Sequence, residues 1–336
     1  MNVSQCFPCK TNTFLDSIQL LTFKLASRIA VASPNGTLIA TVHQSRLILR
    51  SSTTGDICQN FQLPQDFPEK CRYVRWYKGY SFKTTVPEIQ HKGKTERVLL
   101  ANDDTVLIYS AKDAQWKAEI TGASSNLGSI ANIDFGYTPD EVLVFSDFRV
   151  KVTIWSLITN RGVEIRDPKT IVNGYDYRLQ SGHLAVLTRA AAHDTVMLLD
   201  PGSYDLSKNF DLPTVEAQGL KWSTDGRWLA IWDAASSGYK VLIYTADGHL
   251  FKTYMGGQDA HNIGLGVKSL SWGPTAGLLA IGDYNGHVTL LNTNTVSLIM
   301  HFFLAFADSI TVVFNRCVRA FATDITFSGH CVARAN

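Results

Sequence analysis

Charge is scarce and evenly signed in this chain. Of 336 residues, 18% are charged and the formal net charge is +2, too little for whole-surface attraction to nucleic acid or an anionic membrane. Cysteine is thin as well. Cys6, Cys9, Cys58, Cys71, Cys317 and Cys331 are scattered along the length, and Cys6-Phe-Pro-Cys9 lacks the second pair of ligands that a zinc site requires. The opening MNVSQCFPCK has no apolar core, so no signal peptide is expected, and free thiols in a reducing cytosolic or nuclear setting are. Long hydrophobic runs are missing too. The nearest to one, Val296–Phe314, is interrupted by His301 and Asp308, whereas a membrane helix needs about 20 apolar residues with few charges.

Signatures of chemistry are equally absent. No Gly-x-Ser-x-Gly and no His-Glu-x-x-His occurs. Gly93-Lys94-Thr95 resembles the end of a phosphate loop, but the position five before Gly93 is Glu88, where such a loop needs glycine. Histidines are dispersed without metal-ligand spacing. Asp103-Asp104 and Asp140-Glu141 fall at turns, where a carboxylate caps backbone N–H groups. No catalytic residue, cofactor or metal is expected.

What the chain does have is repetition. EAQGLKWSTDGRWLAIWD (Glu216–Asp233) is rewritten fifty residues on as GVKSLSWGPTAGLLAIGD (Gly266–Asp283). Four weaker copies precede the pair, at Arg28–Ile57, Cys71–Trp116, Ile130–Gly162 and Tyr175–Ser203. Residues before the first turn of each unit are Ala32, Trp76, Phe135, Tyr177, Trp222 and Trp272, at steps of 44, 59, 42, 45 and 50. The long step carries an insertion, Lys83–Thr95. A period of about 40–45 residues with several short strands is the mark of a WD-type propeller blade. The first strand alternates (Leu220, Trp222; Leu270, Trp272), which predicts one buried face. The second is nearly all apolar (LIAT, VLLA, VLVF, LAVL, WLAI, LLAI), which predicts burial on both faces between blades. A third strand ends in Tyr109, Trp155, Leu199, Tyr244 or Leu291.

The WD pattern is degenerate. Its one Trp-Asp pair, Trp232-Asp233, falls on a second strand, and the Gly-His pairs at 182, 248 and 286 fall in turns. Little polar cross-linking is therefore expected, with packing holding the blades. The expected fold is all-β, a WD40-type propeller of six recognisable blades over residues 23–303. A divergent segment precedes it at 1–22 and an atypical tail follows at 304–336. Thr11–Leu25 offers a strand that could pair with the sixth unit.

One charge bias stands out. Lys70, Arg72, Arg75, Lys78, Lys83, Lys92, Lys94 and Arg97 face only Glu69, Glu88 and Glu96, with Trp76, Tyr77, Tyr80 and Phe82 interleaved. Candidate partner-binding residues are Arg72, Arg75, Trp76, Tyr77, Lys78, Lys92 and Lys94, suited to an acidic protein or to RNA. The plainer reading is a strand over Arg72–Trp76 followed by a solvated basic loop.

The fifth and sixth units, with FKLASRIAVASPNGTLIATVHQSRLILR (Phe23–Arg50), resemble the WD repeat-containing protein eight family, the WD-repeat proteins encoded antisense to a tumour-protein gene. The resemblance covers Phe23–Phe303 in order and looks like a fungal member. It implies a non-catalytic scaffold at the centrosome or spindle pole body. Such a scaffold binds a coiled-coil anchoring protein and, through it, a minus-end-directed kinesin and microtubules, and supports minus-end anchoring and spindle assembly. It implies no residue-level motif. Family members continue into further repeats, so the sequence after Phe303 is expected to be a truncated or mis-spliced end, or a variant one. The alternative is a propeller scaffold in an RNA or translation complex that uses Lys70–Arg97.

Overall fold

The computed structural model describes residues 29–79, 96–121, 128–147, 150–256, 266–273, 277–295 and 297–303, the last stretch mainly as backbone. The expected segment 1–22, the Thr11–Leu25 strand, the insertion, Lys92, Lys94, Cys6, Cys9 and the 304–336 tail lie outside them.

Six four-stranded antiparallel sheets account for nearly all of the described chain, each a meander in sequence order. The first is Ala30–Ala32, Leu38–His43, Arg46–Ser51 and Ile57–Gln62 (β1–β4), and the second Tyr73–Trp76, Arg97–Ala101, Thr105–Ser110 and Lys117–Thr121 (β5–β8). The third is Ile130–Phe135, Glu141–Ser146, Lys151–Ser156 and Arg161–Arg166 (β9–β12), and the fourth Tyr175–Tyr177, Leu184–Ala190, His193–Leu199 and Leu206–Asp211 (β13–β16). The fifth is Ala217–Trp222, Trp228–Asp233, Lys240–Thr245 and Leu250–Met255 (β17–β20), and the sixth Val267–Trp272, Leu278–Asp283, His287–Asn292 and Ser297–Phe303 (β21–β24). Every first strand ends at the residue that the repeat marks. Blades one and two form one compact unit, and blades three to six a second.

Within each unit, packing follows the alternation read from sequence. Second strands are buried on both faces: all five residues of β6 are, and Leu229, Ala230 and Ile231 of β18 are fully buried. Fourth strands are mostly in water; β12 and β20 each bury or half-bury only one residue of six. Apolar seams join neighbours. Leu47, Leu49, Val74, Trp76 and Leu100 join blades one and two, Phe145, Ile154, Tyr177 and Leu199 join three and four, Leu187, Val196, Leu220 and Trp222 join four and five, and Trp232, Val241, Leu270 and Trp272 join five and six. Side chains of this size contribute about 1.5–3 kcal/mol each when fully buried. The anchor tryptophans add register. Trp76 donates its indole N–H to the Val31 carbonyl (2.9 Å) and Trp272 to the Lys221 carbonyl (3.0 Å), each on the first strand of the preceding blade.

The expectation of sparse polar cross-linking is corrected. Buried carboxylates stand at the end of the blades where second strands turn into third strands. Asp233, fully buried, accepts from the backbone N–H groups of Val215 (3.0 Å), Glu216 (2.8 Å) and Ala234 (2.9 Å). Asp283 accepts from those of Asn285 and His287, both at 2.8 Å. The carboxylates sit at the close of the second strand, and they serve loop amides that packing alone leaves unsatisfied.

Candidate functional site

The basic stretch meets the pleat of β5 and is divided by it. Val74 and Trp76 turn into the seam; Tyr73, Arg75 and Tyr77 lie half-buried on the opposite side. Trp76 is 5% exposed with its N–H taken, so as a partner-binding residue it is corrected to a packing residue. The Arg75 guanidinium lies 5.7 Å from the Tyr73 ring and donates to its neighbour's carbonyl at Val74 (3.2 Å). Arg72 and Lys78, both exposed, flank the strand. At about 3.3 Å per residue they stand roughly 20 Å apart, so Arg72 belongs to one end of the blade and Tyr77–Lys78 to the other. The plainer reading, a strand across Arg72–Trp76, describes this segment.

At the end carrying the first-to-second-strand turns, blades three to six are tied in series. The Tyr137 hydroxyl donates to the Leu179 carbonyl (2.9 Å), the Gln180 amide to the Thr224 carbonyl, and the Thr224 hydroxyl to the Gly273 carbonyl (2.9 Å). Gly226 permits the second tie. Its φ is +69°, and a Cβ there would fall 2.2 Å from Gln180 Oε1. In the same turn Ser181 Oγ lies 2.8 Å from His183 Nδ1, and His183 Nε2 lies 3.3 Å from Asp200. The order is that of a nucleophilic relay, but the Ser181 and Gly182 amides are both spent on the Arg178 carbonyl. Neither of these two N–H groups beside the Ser181 hydroxyl is left to hold an oxyanion, and the arrangement pins the hairpin.

The opposite end centres on Asp194, which sequence reading missed. Its carboxylate has no exposed surface and receives Arg189 Nη1 (2.7 Å), Lys169 Nζ (3.0 Å), the Thr214 hydroxyl (3.0 Å) and the Ala217 N–H (2.6 Å). Burial alone would raise its pKa; the Ala217 amide, then Lys169 and Arg189, outweigh that and hold it below the usual carboxylate range. Lys169 also donates to the Ala217 carbonyl (2.7 Å) and Arg189 to that of Val215 (3.1 Å). One carboxylate thus fastens both loops that flank the β14–β15 hairpin. Around it Val172 and Val215 stand 69% and 66% exposed.

The hairpin tip is strained. Ala191 and Ala192 take φ of +50° and +65°, which costs an L-residue about 1–2 kcal/mol each. A192G is expected to stabilise the protein by about 0.5–1 kcal/mol in urea unfolding, the relief exceeding glycine's extra entropy in the unfolded chain.

In the first unit, a cavity of about 610 Å³ is lined by Ile29, Val42, His43, Gln44, Pro68, Glu69 and Cys71, and a smaller one of about 320 Å³ by residues that include Leu63, Pro64, Leu107, Tyr109, Lys117 and Glu119. Burial pushes the Cys71 thiol up to about 11, so it stays protonated at neutral pH. Among the described residues no three His, Cys, Asp or Glu side chains are placed to hold a metal, and no helix is long and apolar enough to cross a membrane.

No protein-family model matches the chain. It is 29% identical over 282 residues to the WD repeat-containing protein WRAP73 of Mus musculus, covering 83% of this chain and 55% of that protein. It is 27% identical over 275 residues to an uncharacterized WD repeat-containing protein of Schizosaccharomyces pombe, covering 80% and 53%. The chain therefore spans about half the length of the curated relatives it matches. Among solved structures, the Dos1 propeller superposes with a TM-score of 0.57 at 12% identity, over 81% of this chain and 69% of that one. The Cps50 (Swd1) β-propeller domain of Myceliophteria thermophila gives 0.53 at 11% identity, over 83% and 87%. At such identities structural likeness speaks for fold alone. With the ordered match to WD repeat-containing proteins and six four-stranded meanders, the chain has a WD40-type β-propeller fold.

Proposed function

We propose that this chain is a non-catalytic WD-repeat scaffold of the spindle pole body or centrosome. It presents loops on stiff blades to a coiled-coil anchoring protein and, through that protein, links to a minus-end-directed kinesin and microtubules. The observation that carries the reading is the in-order similarity to a mouse WD repeat-containing protein over 83% of the chain, together with the family resemblance of its repeats. Physical support comes from the blades. The ties between successive turns and the Asp194 clasp hold loops rigid, so a partner meets a surface that is already ordered. The RNA reading is weaker, because β5 sends its basic residues to opposite ends of a blade where a polyanion would need them side by side. In dividing cells a fluorescent fusion is expected to form one focus at each spindle pole, lost when the anchoring partner is depleted. A diffuse signal through mitosis rejects the proposal.

A further inference from the structure

Three polar side chains that bond to nothing in the protein meet at one cavity. The hollow of about 610 Å³ in the first unit is lined by Val42, His43 and Gln44 from the β2–β3 hairpin, by Pro68, Glu69 and Cys71 from the link into β5, and by Ile29. The His43 imidazole, the Gln44 amide and the Glu69 carboxylate have no hydrogen-bond or ion-pair partner among the described residues. Gln44 also takes φ of +50°. That conformation is costly for a residue with a Cβ, and such strain gathers at ligand sites. An open cavity of this volume, with part of its lining apolar and a few polar groups converging on it, has the make-up of a small-ligand site.

We propose that this cavity takes a primary ammonium on an aliphatic stem, either the end of a partner protein's lysine or a free alkylamine. Glu69 is the one carboxylate in the lining, and no Lys or Arg lines it, so the guest carries the positive charge. A compact ammonium has three donors, which match three separate acceptors: the Glu69 carboxylate, the Gln44 carbonyl oxygen and a His43 ring nitrogen. A guanidinium is a planar fork suited to one bidentate partner or an aromatic face to stack on. The lining holds no aromatic ring, which also disfavours a quaternary ammonium. Ile29, Val42 and Pro68 offer apolar surface to the methylenes. The Cys71 thiol donates to the Tyr73 carbonyl (3.6 Å), and burial keeps it protonated. It therefore adds no second anion for a divalent metal, and the lining carboxylate, imidazole and sulfur are not placed as a ligand set. Lys70 and Arg72 are exposed beside the lining residues in sequence but outside the cavity, a balance that suits a guest with a single charge. The site stands on its own geometry, whatever the cellular location of the chain.

In the full chain, the Ile29 δ-methyl resonance, identified by its loss in I29V, reports binding. Alkylation of Cys71 by iodoacetamide, read peptide by peptide in mass spectrometry, reports occupancy, with the exposed Cys58 as internal control. Butylamine at constant ionic strength and neutral pH is expected to shift the methyl saturably and to slow Cys71 at least fivefold while Cys58 keeps its rate. Butanol, the same stem without the charge, should bind at least tenfold more weakly. E69Q changes an exposed side chain that has no partner, so the fold is kept, and it should weaken butylamine binding at least tenfold. A capped Ala-Lys-Ala peptide that binds at least tenfold more tightly than butylamine assigns the site to a partner's lysine; equal affinity assigns it to a free amine. Butanol binding as well as butylamine, or E69Q binding as the parent does, overturns the ammonium assignment. A methyl that does not move and a Cys71 that is not protected overturn the site itself.

Discussion

D194A is expected to lower unfolding stability by about 3–5 kcal/mol, a large loss for a polar substitution. The reason is asymmetric. Lys169 is 8% exposed, and removing its counter-charge leaves a buried ammonium with the Ala217 carbonyl alone. The Thr214 hydroxyl and the Ala217 N–H lose their acceptor at the same time. The change is read in urea or guanidinium unfolding at neutral pH. The pH dependence carries the sign. Asp194 titrates below its unfolded value in the folded protein, so its contribution is complete above the ordinary carboxylate pKa of about 3.9. It is lost as pH falls through the lower folded value. D194N is therefore expected to lose stability less steeply than the parent below pH 4. A loss under 1 kcal/mol for D194A would mean that the clasp is solvated and dispensable.

G219A is expected to cost about 3 kcal/mol, large for a single methyl group. Gly219 sits where the pairing of β17 and β18 shifts register. An added Cβ would lie 2.1 Å and 2.4 Å from Trp232 Cζ2 and Cη2 and 2.7 Å from Asn173 Cβ. Trp232 is 3% exposed in the seam of blades five and six, so its indole has nowhere to move, and overpacking at such sites costs about 1–3 kcal/mol. W232F removes the offending ring atoms. The double variant G219A/W232F is expected to be more stable than the sum of the two single losses by about 1 kcal/mol, a coupling that identifies the clash as the cause. Strict additivity in the same unfolding assay would place the cost elsewhere.

The fold was legible because its signals are local and repeated. Trp222 and Trp272 recur in the same sentence, and the apolar runs WLAI and LLAI leave no wet face. Each therefore announces a strand buried between neighbours, and the strands stand where the repeat puts them. Asp233 and Asp283 were in the repeated text as well, yet their role was not. What they bind is backbone, Val215 and Glu216 in one case, and an amide N–H has no letter in a sequence. Asp194 shows the same limit differently: its cations are Lys169, 25 positions away, and Arg189, across a hairpin. The basic stretch failed as a contiguous patch for a simpler reason. Residues adjacent in a strand point to opposite faces, so Trp76 went into the seam, and the length of the strand parted Arg72 from Lys78.

The outermost strands hold a latitude that the rest of the molecule lacks. Along β12 and β20 nearly every side chain ends in water, while each blade's grip on its neighbours is made mainly by its first three strands. The rim of each sheet can thus be recoloured, in charge or in greasiness, at almost no structural expense, and acquire or shed a binding partner while the frame behind it stays the same.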